Sequence, residues 1–489
     1  MDYLFAFNEY KHQCFVEGVK QPQQRMLYNC LRNAILCGHL PSGSTLLASR
    51  ALAQELKVAR NTVLYVYEQL TIEGLVFVEG RNTKVAAKLL GVTAQSAGGD
   101  NLAVQLLSRR AQLHSLPTEV GHDMAAFMPG VPALAEFPLA LWRRYMERAW
   151  RQVSSSQLDY GSVAGELALR EAITHHLTST RGVVCTSAQV FITDGTQHSL
   201  DLCAYALANA GDNAWIENPG YTGAYQAFKA AELCVRGIPV DSHGMAPSQD
   251  DWQHFRPALI YTTPSHQFPL GSVMSLERRL ALIELARAQG AIIIEDDYDS
   301  EFRRDGPPLP AMQGLVENAP VVYMGTFSKS LFPALRIGYM VLPTQLVEPF
   351  TDMLRQRYPR GRSADQLALA AFLRDGQFAI HLRKMRRLYA ARRDALVAAI
   401  EKYLGDVVTI YGGSSGIHLA IELPHSLIDS EISDEALAAG IYAQPLSKLA
   451  TGAILHNGLM LGYAQVKDVD MEYYIERLAQ VIKQKEISF

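Results

Sequence analysis

The hydrophobic residues follow one period in the first ninety residues and another in the rest of the chain. Between residues 22 and 72, apolar side chains recur every three or four positions in three short stretches, which predicts three helices. Two apolar-polar stretches at residues 75–78 and 83–86 flank a polar turn and predict a β-hairpin. From about residue 124 onward, short apolar runs alternate with helical patterns, which predicts an α/β domain.

The apolar runs of this larger region are typical of buried parallel strands covered by helices on both faces. After about residue 345 the pattern changes to long amphipathic segments with an apolar run at residues 417–421, which predicts a smaller α+β subdomain at the C-terminal end. The runs predicted to be strands of the large sheet lie at residues 190–192, 213–216, 258–261, 291–294 and 321–324.

The three N-terminal helices are arranged as expected for a DNA-binding module. Ser49 is a candidate N-cap for the second helix, residues 57–59 make a tight turn, and Arg60 opens the third helix. Two short helices joined by a turn and followed by a hairpin predict a winged helix-turn-helix. A small helical protein-interaction domain with a solvated charged face is the alternative. We expect DNA contacts from Arg60, Asn61 and Thr62 in the major groove, and from Arg50, Arg81 and Lys84 at phosphates or the minor groove.

Composition and charge agree with this division. The chain of 489 residues has a net charge of −4, yet residues 1–90 hold ten Lys and Arg against seven Asp and Glu. A mildly basic head on an acidic body suits a nucleic-acid module joined to another domain. The six cysteines lack CxxC spacing, so we predict neither a metal site nor disulfides. With no signal pattern and no long apolar run, the sequence predicts a soluble cytoplasmic protein.

Residues 87–123 are mostly small and polar and predict an interdomain tether with a possible short helix at residues 102–113. The predicted domains are therefore a DNA-binding domain at residues 20–88, a flexible linker at residues 89–123 and a large domain at residues 124–489.

One lysine in the large domain has neighbours suited to a cofactor. Lys329 follows the apolar run at residues 321–324, lies beside Thr326 and Ser328, and precedes Arg336 by seven positions. Desolvation lowers a lysine's pKa, so that the neutral amine can form a Schiff base with an aldehyde. Hydroxyls and an arginine can hold a phosphate dianion. The pattern favours a pocket for pyridoxal 5′-phosphate (PLP), although a solvated surface lysine would fit this segment alone.

The residues that follow the other predicted strands can complete such a pocket. Gly195 and Thr196 open a helix and can bind an anion, and Tyr221 can stack on an aromatic ring. Five acids lie within residues 295–301. Asp296 among them can hydrogen-bond a pyridinium nitrogen, and Tyr298 can donate to the ring's phenolate oxygen. A divalent-metal site is the alternative for the acidic run. Since Asp296 precedes Lys329 by 33 residues, about one strand–helix–strand unit, we expect the two to be neighbours.

Two family resemblances follow from these residues. Residues 47–53, 58–63 and 73–75 resemble the winged helix-turn-helix of GntR-type repressors, which implies that Arg50, Arg60, Thr62, Gly80 and Thr83 lie at the DNA. The large domain resembles fold-type I PLP-dependent aminotransferases. That resemblance implies that Lys329 forms the internal aldimine, Asp296 pairs with the pyridine nitrogen, Tyr298 with the ring hydroxyl, and Tyr221 stacks on the ring. It also assigns the phosphate to Gly195, Thr196, Gln197, Thr326, Ser328 and Arg336, and it implies a homodimer in which Tyr160 reaches the neighbouring subunit's phosphate.

The combination of both parts, with the segments at residues 265–271 and 295–303, resembles the MocR/GabR family of bacterial transcription regulators. The family implies a head-to-tail dimer that binds operator DNA and senses PLP, as in its PdxR branch, or an amino compound. Two positions depart from the aminotransferase pattern. Phe268 replaces an asparagine that bonds the ring hydroxyl, and Met460 replaces the arginine that clamps the substrate carboxylate.

We therefore expect a PLP-dependent transcription regulator that senses PLP or an amine or amino-acid effector through the Lys329 aldimine, with little or no catalysis. A working aminotransferase with a regulatory head is the alternative. A third possibility is a GntR-type repressor whose large domain serves only as a dimerisation scaffold. The intact set of Lys329, Asp296 and Tyr298 argues against it.

Overall fold

The computed structural model describes residues 1–16, 21–86, 125–304, 306, 309–357 and 361–487. The chain divides into two compact units, Met1–Leu102 and Ala103–Phe489. We call them the N-terminal and C-terminal units. The predicted linker at residues 89–123 and the predicted short helix within it lie outside the described residues, so the proposed domain limits stay a prediction.

The N-terminal unit is helical and ends in a hairpin. The sequence analysis did not predict the helix α1 (Tyr3–Val16), which buries Tyr3 and Phe7 in the same core as the other three helices. The remaining helices and strands lie within one or two residues of the predicted stretches. The elements are α1 (Tyr3–Val16), α2 (Gln23–Leu36), α3 (Ser49–Leu56), α4 (Arg60–Ile72), β1 (Val76–Glu79) and β2 (Asn82–Val85).

Helices α3 and α4 form the predicted pair. Lys57 adopts a left-handed conformation with φ 52° between them, and α4 buries Val63, Val66, Tyr67 and Leu70 against the core. The expectation that Ser49 caps α3 was wrong, because Ala48 occupies the N-cap and no side chain caps the helix. Ser49 is instead the first helical residue.

The hairpin forms the predicted wing. β1 and β2 pair antiparallel with Glu79 opposite Asn82, and the turn passes through Gly80 at φ +62°. Val76 and Val85 are buried, so the wing is anchored to the helices while its tip is exposed.

The C-terminal unit is built around an eight-stranded sheet with the strand order β3-β10-β9-β8-β7-β4-β5-β6. Neighbours from β5 across to β9 are parallel, whereas β10 runs antiparallel to both β9 and β3. The five predicted strands are present, so the prediction of a mostly parallel sheet is confirmed. Its strands are β3 (Val190–Thr193), β4 (Asn213–Asn218), β5 (Cys234–Asp241), β6 (Gly244–Met245), β7 (Pro257–Thr262), β8 (Ile292–Asp297), β9 (Val321–Thr326) and β10 (Gly338–Val341).

A second, four-stranded antiparallel sheet forms the expected C-terminal subdomain, in the order β11-β12-β14-β13. One face of it joins the core that also contains the long helix Gln377–Leu404. Its strands are β11 (Thr409–Gly412), β12 (His418–Glu422), β13 (Gln444–Pro445) and β14 (Gly458–Gly462).

The helices of this unit cover the large sheet and flank the small one. They are α5 (Leu139–Gln152), α6 (Leu167–Arg181), α7 (Thr196–Leu207), α8 (Thr222–Ala230), α9 (Gln249–His254), α10 (Leu276–Gln289), α11 (Thr344–Arg357), α12 (Ser363–Arg374), α13 (Gln377–Leu404), α14 (Asp429–Ala438) and α15 (Met471–Ile487). Among the described residues, no helix is long and apolar enough to cross a membrane.

Candidate functional site

The site lies where β3, β4, β7, β8 and β9 end. The carboxyl ends of parallel strands meet at one edge of a sheet, which is where open α/β sheets bind ligands. Lys329 follows β9 there, and its Nζ donates to the carbonyl oxygen of Gly130 at 2.8 Å. Burial lowers the pKa of Lys329, although the charges of Asp299 and Asp296 oppose the shift. The lysine thus has the electrostatic setting expected of a Schiff-base amine.

Asp296 offers the group that a pyridinium nitrogen needs. Its Oδ2 accepts from Tyr261 Oη at 2.7 Å, while its Oδ1 is buried and has no hydrogen-bond partner among the described residues. Burial raises the pKa of Asp296 to about 7, against the lowering effect of the Tyr261 hydroxyl. An unpaired buried carboxylate oxygen is costly, so a cationic ring nitrogen facing Oδ1 would stabilise this site.

The other acids of the run have different partners. Glu295 accepts from the backbone N–H groups of Met312 and Gln313, and Asp297 pairs with Arg181 at 2.7 Å. The structure also places Glu295, Asp296 and Asp297 inside β8 and not in a loop after it, which corrects the predicted end of this strand. Among the described residues, Asp299 is the one carboxylate of the run in a group of atoms that could hold a metal ion, and its partners there are His266 and His418.

Tyr298 lies beside a histidine that the sequence analysis did not single out. Its hydroxyl donates to the carbonyl oxygen of His266 at 3.1 Å and is 3.1 Å from His266 Nδ1. His266 Nδ1 is also 3.0 Å from Asp299 Oδ1, and both side chains are fully buried. Burial and the charge of Asp299 raise the pKa of Tyr298 well above its ordinary value. Tyr298 therefore stays protonated and can donate to a phenolate oxygen.

The predicted phosphate residues form a cradle where β3 and β9 end. Gly195 has φ +101° and precedes α7, whose first residue is Thr196. A Cβ at Gly195 would lie 3.5 Å from a guanidinium nitrogen of Arg336, so glycine and arginine face the same space. Thr326 Oγ1 accepts from the Ser328 N–H at 3.1 Å. Free N–H groups at a helix start and an arginine are the partners that a phosphate requires.

Two aromatic residues line the place expected for the ring. Tyr221 precedes α8 and is half-buried, with its ring edge-on to Phe268 at 5.9 Å. Phe268 also packs edge-on against the ring of Tyr298, with 6.2 Å between the ring centroids. As the sequence predicts, Phe268 offers no hydrogen bond to a ring hydroxyl. Gln197 donates to the carbonyl oxygen of Gly223 at 3.2 Å and so fixes the start of α8 beside Tyr221.

Tyr160 and Met460 occupy contrasting surroundings. The side chain of Tyr160 is 79% exposed, as expected of a residue that serves a second subunit. Met460 is buried on β14 in an apolar cluster with Leu270, Ala420, Leu446 and Leu449. The position expected to hold a carboxylate clamp is therefore uncharged, with Gln444 opposite it in β13.

The structure brings together residues that sequence reasoning missed. Predicted site residues are contacted by Gly130, Tyr261, His266 and His418, and Asp299 in turn contacts His266. His266 and Asp299 stand within the segments at residues 265–271 and 295–303 that carry the family resemblance, but neither was predicted to be a site residue. His418 belongs to the small sheet, 152 residues after His266, so no spacing pattern links the two.

The predicted DNA-binding residues lie on the exposed side of the helix-turn-helix and its wing. Arg50, Arg60 and Asn61 are exposed at the starts of α3 and α4, and Arg81 is exposed at the wing tip. Thr62 and Thr83 are partly buried, and Gly80 makes the exposed wing turn. Lys84 forms an ion pair with Glu79 across the wing, so any phosphate contact by Lys84 competes with this carboxylate.

Comparison with known proteins finds relatives for both parts of the chain. The family described as aminotransferase class I and II matches residues 136–478, and the bacterial regulatory proteins of the gntR family match residues 23–84. The probable rhizopine catabolism regulatory protein MocR of Rhizobium meliloti is 39% identical over 94% of this chain and 93% of its own length.

Two further proteins extend this likeness. The pyridoxine biosynthesis transcriptional regulator PdxR of Corynebacterium glutamicum is 28% identical over 92% of this chain and 94% of its own length. The crystal structure of Pyrococcus horikoshii kynurenine aminotransferase, in complex with PMP, is 27% identical with a TM-score of 0.72. The match covers 79% of this chain and 98% of the enzyme chain.

These comparisons confirm the predicted fold class and the predicted cofactor, PLP. They also confirm the predicted regulator function, which requires DNA as a partner. The chain therefore belongs to the MocR/GabR family of transcription regulators, DNA-binding proteins in which a GntR-type winged helix-turn-helix is joined to a PLP-binding domain of the aminotransferase class I and II family.

Proposed function

We propose that this regulator holds PLP on Lys329 as a sensing device and performs little or no transamination. The observation that carries the proposal is that the buried, uncharged Met460 takes the place of the clamping arginine while Lys329 and Asp296 keep the setting that PLP needs. An α-carboxylate entering this pocket would lack the bidentate arginine that gives such sites their affinity, and loss of a buried charged pair costs about 2–5 kcal/mol.

Each part of the cofactor would be held by different residues. Lys329 anchors its aldehyde, Asp296 Oδ1 faces the ring nitrogen, Tyr298 donates to the ring hydroxyl and Tyr221 covers one face of the ring. The phosphate is held by Gly195, Thr196, Gln197, Thr326, Ser328 and Arg336. Bound in this way, PLP supplies an electron-withdrawing ring and an aldehyde that reacts with amines.

The N-terminal unit would bind operator DNA through α4 and the wing. Arg60, Asn61 and Thr62 stand at the start of α4, where a recognition helix meets base edges. Arg50, Arg81 and Lys84 supply positive charge for phosphates, and Gly80 and Thr83 bring the wing backbone close to the DNA. We assign the DNA-binding domain to residues 20–88 and the PLP-binding domain to residues 124–489.

The regulator would act as a homodimer with the head-to-tail arrangement of its family. The 79% exposure of the Tyr160 side chain supports this, because a large aromatic side chain left in solvent is available to a second copy. Its hydroxyl would reach the phosphate held by the partner subunit. The effector is PLP itself or an amine that enters the pocket beside Lys329.

The test is binding to DNA from the promoter of the protein's own gene, measured with and without PLP. We expect PLP to change the affinity or the footprint in the wild type and in the control Lys448→Ala, whose lysine is exposed. Lys329→Ala should keep DNA binding and lose the response. A wild-type chain that neither takes up PLP nor responds to it would contradict the proposal.

A working aminotransferase is the second candidate, because Lys329, Asp296 and Tyr298 are all present and close together. Steady-state assays with a panel of amino donors and 2-oxo acids separate the two functions. Turnover at about 1 s⁻¹ or faster, the lower range for enzymes, would make this an enzyme. We expect rates far below that.

A further inference from the structure

His418 stands on the face of the small sheet that also presents Met460. In the antiparallel pair of β12 and β14, His418 lies opposite Gly462, and Ala420 lies opposite Met460. Because side chains alternate between the two faces of a strand, His418, Ala420 and Met460 share one face. The other face, with Leu419 and Leu461, belongs to the main core.

The rings around His418 are walls of the cofactor pocket. Its imidazole is stacked on Tyr298, with 6.4 Å between ring centroids and 17° between planes. Phe268 packs edge-on against it at 5.7 Å, and the His266 ring is 4.9 Å away. The Lys329 charge is close enough to lower the pKa of His418. His418 therefore lies at the boundary between the small sheet and the space next to Lys329.

The hydrogen bonds of His418 leave one ring nitrogen free. The ring bonds to the backbone of Pro269, which has no N–H, so His418 donates there to the carbonyl oxygen. The remaining nitrogen, Nε2, is buried and has no partner among the described residues. Burial lowers the pKa of His418 well below its ordinary value, so the ring is neutral. A neutral imidazole that donates from Nδ1 has a lone pair on Nε2, which makes Nε2 an acceptor.

We propose that His418 Nε2 selects the effector by accepting a hydrogen bond from it, so that the preferred effector is a primary amine carrying a hydroxyl group and no carboxylate. The proposal rests on the proposed function, since it places the effector beside Lys329. The amine faces the cofactor, and the hydroxyl reaches the small sheet, where Met460 offers no charge. A neutral acceptor satisfies a hydroxyl, whereas a carboxylate facing it would lack a donor.

A divalent cation is the competing occupant of this region. Ligand atoms of His266, Asp299 and His418 lie within 4.8 Å of one another. His266 Nδ1 is already engaged with Asp299 and Tyr298, which leaves only its Nε2 for a metal. That Nε2 is buried and has no hydrogen-bond partner among the described residues, and a Cβ on Gly271 would lie 3.2 Å from it. Zinc binding to the wild type and to His418→Phe decides between the two occupants.

Three compounds of one carbon skeleton test the preference in the PLP-loaded full chain: 2-aminopropan-1-ol, isopropylamine and alanine. Titration calorimetry gives the apparent Kd of each. We expect the amino alcohol to bind about tenfold more tightly than isopropylamine, the usual effect of one hydrogen bond, and alanine to bind most weakly. Equal Kd values for the alcohol and the alkylamine, or tightest binding of alanine, would overturn the proposal.

Variants assign the preference to His418. In His418→Phe, which keeps a ring of similar shape, the two amines should bind equally. The control His425→Phe, at an exposed histidine, should keep the tenfold difference. A difference that persists in His418→Phe overturns the assignment. If His418→Phe loses the visible absorbance of bound PLP, His418→Asn replaces it, because asparagine retains a hydrogen-bond acceptor. We expect His418→Asn to keep the cofactor and part of the preference for the amino alcohol. If it binds PLP but does not prefer the amino alcohol, the proposal is overturned.

Two further outcomes separate the possible failures. A wild-type chain that takes up no PLP contradicts the proposed function as well as this inference. If PLP binds and alters operator affinity but the three compounds bind alike, only the inference fails. Zinc that binds stoichiometrically to the wild type and not to His418→Phe would assign the site to a metal, and the hydroxyl-binding role would be withdrawn.

Discussion

Lys329 Nζ donates to the carbonyl oxygen of Gly130, 199 residues earlier in the chain, at 2.8 Å. Gly130 has φ +75°, a conformation that L side chains rarely adopt, and a Cβ there would lie 2.7 Å from Nζ. The segment around Gly130 therefore determines where the amine can stand. This contact links the start of the described C-terminal unit to the centre of its site.

Gly130→Ala should weaken cofactor attachment more than it destabilises the fold. Nζ ends a flexible side chain and can move aside, so we expect a loss of about 1 kcal/mol in the free energy of unfolding from the unfavourable φ. The displaced amine should lower PLP affinity about tenfold or more, since misplacement by 1 Å is costly at reacting atoms. Equilibrium dialysis with PLP and urea unfolding measure the two effects. Equal affinity in Gly130→Ala would show that the contact does not position the amine.

The pKa of Asp296 predicts how cofactor binding depends on pH. Its native pKa of about 7 exceeds the ordinary 3.8, so between these values the native state binds more protons than the unfolded state. The contribution of Asp296 to stability therefore falls as pH rises through that range in the cofactor-free chain. A ring cation facing Oδ1 stabilises the carboxylate, so PLP should raise the Tm more at about pH 8 than at about pH 5.5.

Asp296→Asn separates the effect of Asp296 on the pH dependence of PLP binding from that of Lys329. The separation is needed because deprotonation of Lys329 also favours PLP attachment as the pH rises. The variant should bind PLP about 100-fold more weakly, the effect expected when a buried charge pair is broken. The difference in Tm gain between the two pH values should also shrink. An unchanged difference would assign the pH dependence to another group.

Arg60→Ala should weaken operator binding through lost contacts at the start of α4. We expect about 1–3 kcal/mol less binding free energy if Arg60 reads a base, and a slope of log affinity against log salt smaller by about 1 if it contacts phosphate. Fluorescence anisotropy at several salt concentrations distinguishes the two. Arg151→Ala, an exposed arginine of the C-terminal unit, is the charge-matched control and should leave both quantities unchanged.

Two leucines of α4 test whether the core of the N-terminal unit is packed as described. Leu70 is fully buried, whereas Leu64 is 42% exposed on the same helix. Leu70→Ala should destabilise the unit by about 2–5 kcal/mol, and Leu64→Ala by no more than about 0.5 kcal/mol. Thermal unfolding followed by circular dichroism measures both. Equal losses in the two variants would contradict the packing of α4.

The strands with continuous apolar runs were predictable, and those without them were not. β8 and β9 are buried on both faces, and each begins with a run of apolar residues that stands out in the sequence. β5 contains Arg236, Gly237 and Pro239 and is only partly buried, which hides it from a period-based reading. Helix α1 was missed because its apolar residues lie on several sides of the helix and not along one stripe.

The residues of the candidate site also divide into those that the sequence could predict and those that it could not. Asp296 lies in β8 and Lys329 follows the neighbouring strand β9, so their proximity follows from the order of the strands. His266 and His418 come from different sheets, and only the docking of the small sheet against the large one brings their rings to 4.9 Å. Such packing leaves no trace in local spacing, which is why a pattern search returns the cofactor residues and overlooks the second histidine.

The exposed ring of Tyr160 has a consequence for how the regulator responds to its own abundance. If that hydroxyl completes the phosphate site of a second copy, each pocket lacks one ligand until two chains meet, and cofactor occupancy becomes linked to assembly by mass action. At low cellular copy number the chains would be mostly single and poorly loaded. At low expression the concentration of loaded dimers, and with it the binding of the operator, would then rise with the square of the chain's concentration.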